Sequence, residues 1–390
     1  MVGSFTLIRT PKIIFGEGKI HDPTLDATVR GKNVLLVTGN RSWTANKNLE
    51  NIFDRLSEQA KNLYRQSIGH EPLPSDIDEI AGRYRLRNIN YVIAVGGGSV
   101  VDAGKAVSAM LPLQDSVKDF IEGVGSKVHP GTKVYFVAIP TTSGTGSEAT
   151  SNAVLAETGE HGYKRSLRHE NFMPDLALVD PQLTVSCPPR ITAATGLDAF
   201  TQLMESYLSV NASQVTDVLA LDGMNKVSKY LPVAFNNGSN PEARTGMSYA
   251  ALLSGITLSN AGLGLVHGMA PVIGSKYNVP HGIVCGSLIG IVNRFNIEAL
   301  KKQKEITAAH QKYATLGKMF SGTESKSMFW YMNFVADYID NLVLELKIPL
   351  LGEYGITHAD LELIAGETGL KANPVKFEKD EIKEIIRRRL

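Results

Sequence analysis

The stretch Tyr91–Ala106, YVIAVGGGSVVDAGKA, decides the fold. An apolar, β-branched run passes straight into three glycines and a serine, then into a helix-like segment carrying Asp102 and Lys105. That is a strand, a tight turn and a helix N-terminus in one phrase. The turn is stripped of side chains, so backbone N–H groups can approach a ligand closely, and a phosphate at the positive end of the helix is the expected tenant.

The flanking sequence repeats the alternation. Lys12–Phe15, Asn33–Thr38, Val134–Ile139 and Leu176–Val179 read as strands, and Asn48–Tyr64, Asp76–Arg85 and Val101–Met110 as helices. Strands separated by helices argue βαβ units and a mostly parallel sheet covered on both faces. After Pro188-Pro189 the β-branched alternation fades. Helical spacing runs through Thr192–Leu208, Ser213–Lys229, Asn240–Ser259, Leu288–Phe295, Lys302–Leu316, Met328–Leu346, Asp360–Gly366 and Glu378–Arg388. The expectation is a Rossmann-like α/β domain over residues 1–187 that binds a dinucleotide, and an all-α, metal-binding domain over 188–390. The loops after Gly123 and around Glu157–Gly162 read as exposed.

Composition narrows the partners. Lys plus Arg is 40 against 39 for Asp plus Glu, which gives no basic field for nucleic acid and no polybasic patch for a membrane. Only two cysteines occur, Cys187 and Cys285, which excludes a disulfide framework and a CxxC clip. Both read as core thiols in a reducing compartment. The first residues lack the pattern of a signal peptide, and no run approaches 18 apolar residues. A cytoplasmic protein is the expectation.

The GGGS turn departs from G-x-G-x-x-G, because the sixth position of the pattern, counted from Gly96, is Val101. A second phrase supports nucleotide binding. Ile139–Glu148, IPTTSGTGSE, follows another strand, so its groups lie where ligands bind in doubly wound sheets. Thr141, Thr142, Thr145 and Ser147 offer hydroxyls, while Gly144 and Gly146 let the backbone curl. At the end of Val34–Thr38 stand Gly39, Asn40, Arg41 and Ser42. An acid there would grip ribose hydroxyls and repel a 2′-phosphate. None is present, which tilts the cofactor toward NADP(H) over NAD(H).

Asp198 and Gln202 are spaced i, i+4 and share a helix face. His267 lies in a small-residue helix, and His281 follows Pro280. A carboxylate, an amide and two imidazoles suit a mononuclear site for a divalent ion. On spacing alone, two histidines in an apolar helical region are more often satisfied core or surface residues than ligands.

The phrases FGEG (15–18), GGGSVVDAGKA (96–106), IPTTSGTGSEAT (139–150), PDLALVDPQLT (174–184), ATGLDAF (194–200) and VPHG (279–282) resemble, in order and spacing, the iron-containing (group III) alcohol dehydrogenase family. The likeness runs from residue 5 to the Asn-Pro pair at 373–374. It implies the fold shared with dehydroquinate synthase and glycerol dehydrogenase. It implies cofactor contacts at Gly97, Gly98, Ser99, Asp102, Thr141, Thr142, Thr145, Lys164 and Leu183, and a substrate-pocket position at Asn152. Its metal ligands fall on Asp198, His267 and His281, whose catalytic part is played through the ion, Fe2+ by expectation or Zn2+. The expected activity is hydride exchange between a nicotinamide cofactor and a small or medium alcohol or aldehyde.

Two positions depart from the family pattern. Gln202 stands where a histidine ligand is usual, and Pro271 where a histidine is thought to relay protons. Two alternatives therefore stay open: a metal-dependent cyclase or lyase like dehydroquinate synthase, with Lys276 the only nearby cation, and a non-catalytic member with an impaired metal site. A homodimer is expected by analogy, with Phe5–Arg9 as the candidate pairing segment.

Overall fold

The computed structural model describes residues 3–45, 47–157 and 162–390. It divides into two compact units, Ile8–Pro188 with Asn237–Ser248, and Pro189–Asn236 with Tyr249–Leu390 and the N-terminal segment up to Leu7.

The first unit is built on β1 (Lys12–Phe15), α1 (Pro23–Val29), β2 (Asn33–Gly39), α2 (Asn40–Ala45), α3 (Lys47–Gln59), β3 (Asn62–Ile68), α4 (Pro74–Tyr84), β4 (Tyr91–Gly96), α5 (Gly98–Met110) and β5 (Tyr135–Pro140). The strands β6 (Asn152–Glu157), β7 (Tyr163–Arg168) and β8 (Leu176–Val179) complete it. Six strands form one sheet in the order β1-β8-β5-β4-β2-β3, and every pair in it is parallel. Alternate side chains of the central strands enter two different cores. Leu35, Val37, Val92 and Ala94 pack on one face, and Val34, Leu36, Ile93 and Val95 on the other. Burial on both faces is why these strands read as unbroken apolar runs.

Three features differ from the expectations. The helix expected over Asn48–Tyr64 ends at Gln59, and the chain starts β3 at Asn62. β3 pairs only with β2 at the sheet edge and is half exposed, so its sequence NLYRQSI carries little apolar signal. Of the region read as an exposed loop at Glu157–Gly162, Glu157 ends β6, which pairs with β7 in a hairpin, and residues 158–161 lie outside the described residues. That hairpin packs on α5, which the sheet covers from the other side. A helix enclosed in this way needs no polar stripe, and from Val100 to Met110 every residue of α5 is buried. Phe5–Arg9 forms no strand within the chain, and Phe5 and Leu7 are exposed.

The second unit is helical: α6 (Pro189–Leu208), α7 (Gln214–Asn236), α8 (Pro241–Ala261, whose first turns belong to the first unit), α9 (Val266–Tyr277), α10 (His281–Lys301), α11 (Ala308–Ser321), α12 (Met328–Glu345), α13 (Leu361–Glu367) and α14 (Lys379–Arg387). α10 is much longer than the expected Leu288–Phe295, and α11 starts six residues later than the expected Lys302. α10 has the length and hydropathy of a membrane-crossing helix, but 72% of its apolar window is buried inside the fold, as a core helix would be. Among the described helices it alone has this character as a single span.

α10 reaches α6 very closely. A Cβ on Gly282 would lie 2.4 Å from the Ala194 carbonyl oxygen, so only glycine permits this approach in the first turn of α10. The close approach brings His281 to the face of α6 that carries Asp198.

Candidate functional site

In the α/β unit, the two glycine- and hydroxyl-rich phrases turn at the C-terminal ends of two neighbouring central strands. β4 and β5 are neighbours, paired Gly96 with Pro140, and the Thr141 N–H donates to the Gly96 carbonyl at 2.9 Å. α5 begins at Gly98 with Gly97 as its cap, and no side chain closes that helix end. A Cβ on Gly98 would meet Thr145 Cγ2 at 2.5 Å, so the second loop folds down on the turn. Thr141 Oγ1 is buried and has no hydrogen-bond partner among the described residues. An open helix N-terminus beside an unsatisfied buried hydroxyl fits a phosphate-bearing ligand.

A polar hub lies beneath these loops. Lys105 is fully buried, and its Nζ donates to Ser147 O (2.9 Å), Thr150 Oγ1 (2.9 Å) and Asn152 O (2.7 Å). Ser147 Oγ donates to Asp102 Oδ1 at 2.7 Å, and the Val154 N–H donates to Asp102 Oδ2 at 3.1 Å. Burial pushes Lys105 down to about 8 and Glu148 up to about 7, and raises Asp102. Both Asp102 oxygens thus serve to hold the loop and the hairpin.

The other expected cofactor positions are scattered in character. Gly97, Gly98, Ser99, Thr141, Thr142 and Thr145 gather at the turn. Lys164 is ion-paired with Glu71. Leu183 is 1% exposed and belongs to the core under the sheet, so it presents no open surface. Asn152 begins β6 and donates from Nδ2 to Ser166 Oγ at 3.2 Å. Gly39 ends β2 and Asn40 starts α2, while the side chains of Arg41 and Ser42 lie outside those described.

In the helical unit, Asp198, His267, His281 and Cys285 each bring one ligand atom to within 4.8 Å of all the others. Asp198 comes from α6, His267 from the first turn of α9, and His281 and Cys285 from one face of α10. His267 Nε2 lies 3.3 Å from Asp198 Oδ1, and His281 Nε2 lies 3.6 Å from it. Cys285 Sγ is 3.7 Å from both His267 Nε2 and His281 Nε2. Gln202 shares the α6 face, but its Oε1 accepts a hydrogen bond from Ser254 Oγ at 2.7 Å. Cys285 therefore needs correction: it is buried, but it stands in the polar cluster and not among apolar side chains alone.

Glu205, unremarked in the sequence, completes the arrangement. It follows Asp198 by seven residues on α6, and that i, i+7 stripe was the available signal. His267 Nδ1 donates to Glu205 Oε2 at 2.7 Å, and the Val266 N–H donates to Glu205 Oε1 at 2.7 Å. The carboxylate caps the N-terminus of α9 and fixes the ring so that Nε2 faces the cluster.

Electrostatics in this pocket favour a cation. Burial works against the charged form of Asp198, yet His281, His267 and Cys285 outweigh it and hold its carboxyl below the usual range. Burial also opposes a charge on His267, but Cys285, Asp198 and Glu205 raise it well above the ordinary imidazole value. Burial pushes the Cys285 thiol up to about 11. Carboxylate, imidazoles and thiol within ligand-to-ligand distance fit a divalent transition metal.

The comparisons agree with this geometry. The family model described as iron-containing alcohol dehydrogenase matches residues 10–181, and that for the C-terminal domain of the same family matches 192–390. The chain belongs to the iron-containing alcohol dehydrogenase family. Members similar to it include alcohol dehydrogenase 4 of Schizosaccharomyces pombe (strain 972 / ATCC 24843), 31% identical over 96% of this chain and 86% of that protein. An NADPH-dependent butanol dehydrogenase of Clostridium saccharobutylicum is 31% identical over 98% of this chain and 96% of that one. Among solved structures, an archaeal halo-thermophilic Red Sea brine pool alcohol dehydrogenase superposes with a TM-score of 0.89 at 25% identity, covering 100% of this chain and 99% of that one. As a member of this family, the chain is a metal-dependent alcohol dehydrogenase or aldehyde reductase that uses a nicotinamide cofactor. The cyclase or lyase alternative finds no support, and Lys276, the cation weighed for it, is engaged with Glu367 at 3.0 Å.

Proposed function

We propose that the enzyme interconverts small or medium aldehydes and their alcohols with NADP(H) in preference to NAD(H), at a divalent ion held by Asp198, His267 and His281. The observation that carries this reading is the buried convergence of those three side chains, with Glu205 locking the His267 ring from behind. Asp198, His267 and His281 would hold the ion, which would supply Lewis-acid polarisation of the substrate oxygen, and the nicotinamide would supply the hydride chemistry.

The chain's own residues prepare that exchange. Asp198 supplies the negative charge that a buried cation requires. Gly97, Gly98 and Ser99 would offer their backbone to the pyrophosphate, and the adjacent loop of Thr141, Thr142 and Thr145 would offer hydroxyls to it. Ser147 and Asp102 brace that loop. Gly39 leaves room at the end of β2, and no acid there repels a 2′-phosphate. Asn152 faces substrate by family analogy. Pro271, one turn after His267 in α9, has no N–H, and its ring nitrogen is the acylated backbone amide, so it holds no exchangeable proton. Proton exchange then falls to water, a ribose hydroxyl or another side chain. Iron is the ion that the family description suggests, and zinc is compatible with the same donors. Two copies pairing through residues 5–9 would cover the exposed Phe5 and Leu7.

Elemental analysis of protein purified without oxygen, paired with NADPH and NADH oxidation against an aldehyde panel, tests the reading. One divalent ion per chain and faster turnover with NADPH are expected. Metal-free protein that binds NADPH and reduces no aldehyde would instead support the non-catalytic alternative.

A further inference from the structure

We propose that Cys285, as a thiolate, is the fourth protein ligand to the ion, and that Gln202 is not a ligand. The proposal rests on the metal reading above and goes beyond it in naming the donor set.

Geometry makes the first argument. Donors placed tetrahedrally at about 2.0–2.3 Å from a cation stand about 3.3–3.7 Å from one another. Four of the six edges are 3.3 Å for His267 with Asp198, 3.6 Å for His281 with Asp198, and 3.7 Å for Cys285 with each imidazole, and the other two lie within 4.8 Å. The four short edges already match a coordination shell. His281 and Cys285 are i, i+4 on α10, so one helix face presents both. Gly282 lets that face come down on α6, with no side chain to hold the helices apart.

Charge makes the second. A divalent ion in a buried site needs its charge cancelled. Among direct donors, Asp198 with a Cys285 thiolate supplies two negative charges, whereas Asp198 with a neutral Gln202 amide supplies one and leaves the rest to Glu205 behind His267. Gln202 already has its carbonyl oxygen on Ser254 Oγ. The cysteine therefore compensates for the histidine that α6 lacks. On binding, the cation takes the place of the thiol proton, which passes to solvent. A sulfur donor also shifts the preference from Fe2+ toward Zn2+.

Cobalt substitution tests this directly. Metal-free protein is titrated with Co2+ under anaerobic conditions. Visible ligand-field absorption reports binding, and a near-ultraviolet sulfur-to-cobalt charge-transfer band reports the thiolate. The wild-type protein is expected to show both. Cys285→Ser is expected to keep the visible absorption, lose the charge-transfer band and bind Zn2+ at least about tenfold more weakly. Gln202→Ala and Cys187→Ser are expected to keep the band. Visible absorption without the band in wild type, or a band surviving in Cys285→Ser, would overturn the proposal and leave the metal reading standing. No visible absorption in any of these proteins would reject the metal reading, and this proposal with it. If Cys285→Ser does not fold, X-ray absorption at the zinc edge of the wild-type protein decides the matter: one sulfur at about 2.3 Å supports the proposal, and a shell of nitrogen and oxygen alone overturns it.

Discussion

Glu205 Oε2 accepts the Nδ1 proton of His267 at 2.7 Å, and through that bond it turns Nε2 toward Asp198 Oδ1, 3.3 Å away. Glu205→Gln keeps the shape but weakens the acceptor. Metal affinity is expected to fall roughly 10–100-fold, the range for lost partners of ligating histidines. Competition with a chromophoric chelator measures it, and an unchanged affinity would contradict the orienting part given to Glu205.

Asp198→Ala removes the carboxylate ligand. Activity is expected to drop by roughly a hundredfold or more, with most bound metal lost. Gln202→Ala is expected to retain metal and most turnover. Steady-state kinetics and metal content on both variants check the contrast, which reverses if the amide is the more important donor.

Gly39→Asp places a carboxylate at the end of β2, where a 2′-phosphate would meet it. The ratio of kcat/KM for NADPH over NADH is expected to fall by roughly tenfold or more. An unmoved ratio would show that the adenosine end binds elsewhere.

Lys105 sits in a fully buried hub with Asp102 and Glu148 near it. Lys105→Met leaves those carboxylates without their cation, and the loss in folding stability is expected to be about 3–5 kcal/mol. Urea unfolding measures it. Because Lys105 also holds Ser147 O, the Michaelis constant for the cofactor is expected to rise in any protein that survives.

The same hub gives a pH signature. Burial raises Glu148 from 4.5 to about 7, so the folded protein holds that proton more tightly than the unfolded chain. The resulting stability is fully present below the unfolded value and is lost as pH rises through about 7. Burial lowers Lys105 from 10.5 to about 8, so stability is regained as pH climbs from about 8 toward 10.5. The hub's contribution is therefore lowest between about 7 and 8. Unfolding free energy measured across pH checks this, and Glu148→Gln is expected to flatten the lower limb.

The buried strands were legible because both faces of the sheet are apolar, as at Val34–Val37 and Val92–Val95. β3 was not, because an edge strand with one partner needs few apolar residues. The start of α10 was missed because Gly282 and Gly286 lower helix propensity where tight packing demands them. Asp198, His267 and His281 were legible as ligand types, and the structure brings them together. Cys285 was not, since a solitary cysteine in an apolar helix looks like filler until its turn-mate His281 is seen beside a carboxylate. Leu183 and Lys164 carried no sign of their engagement in the core and with Glu71.

The donors on α6, α9 and α10 are far apart in the chain and meet only after those helices have packed. An unfolded chain therefore has no comparable grip on the ion, and each binding event reports back on the architecture. Scarcity of the ion would then shorten the lifetime of the protein as well as silence it: starved molecules would open more often and fall to proteases sooner than replete ones.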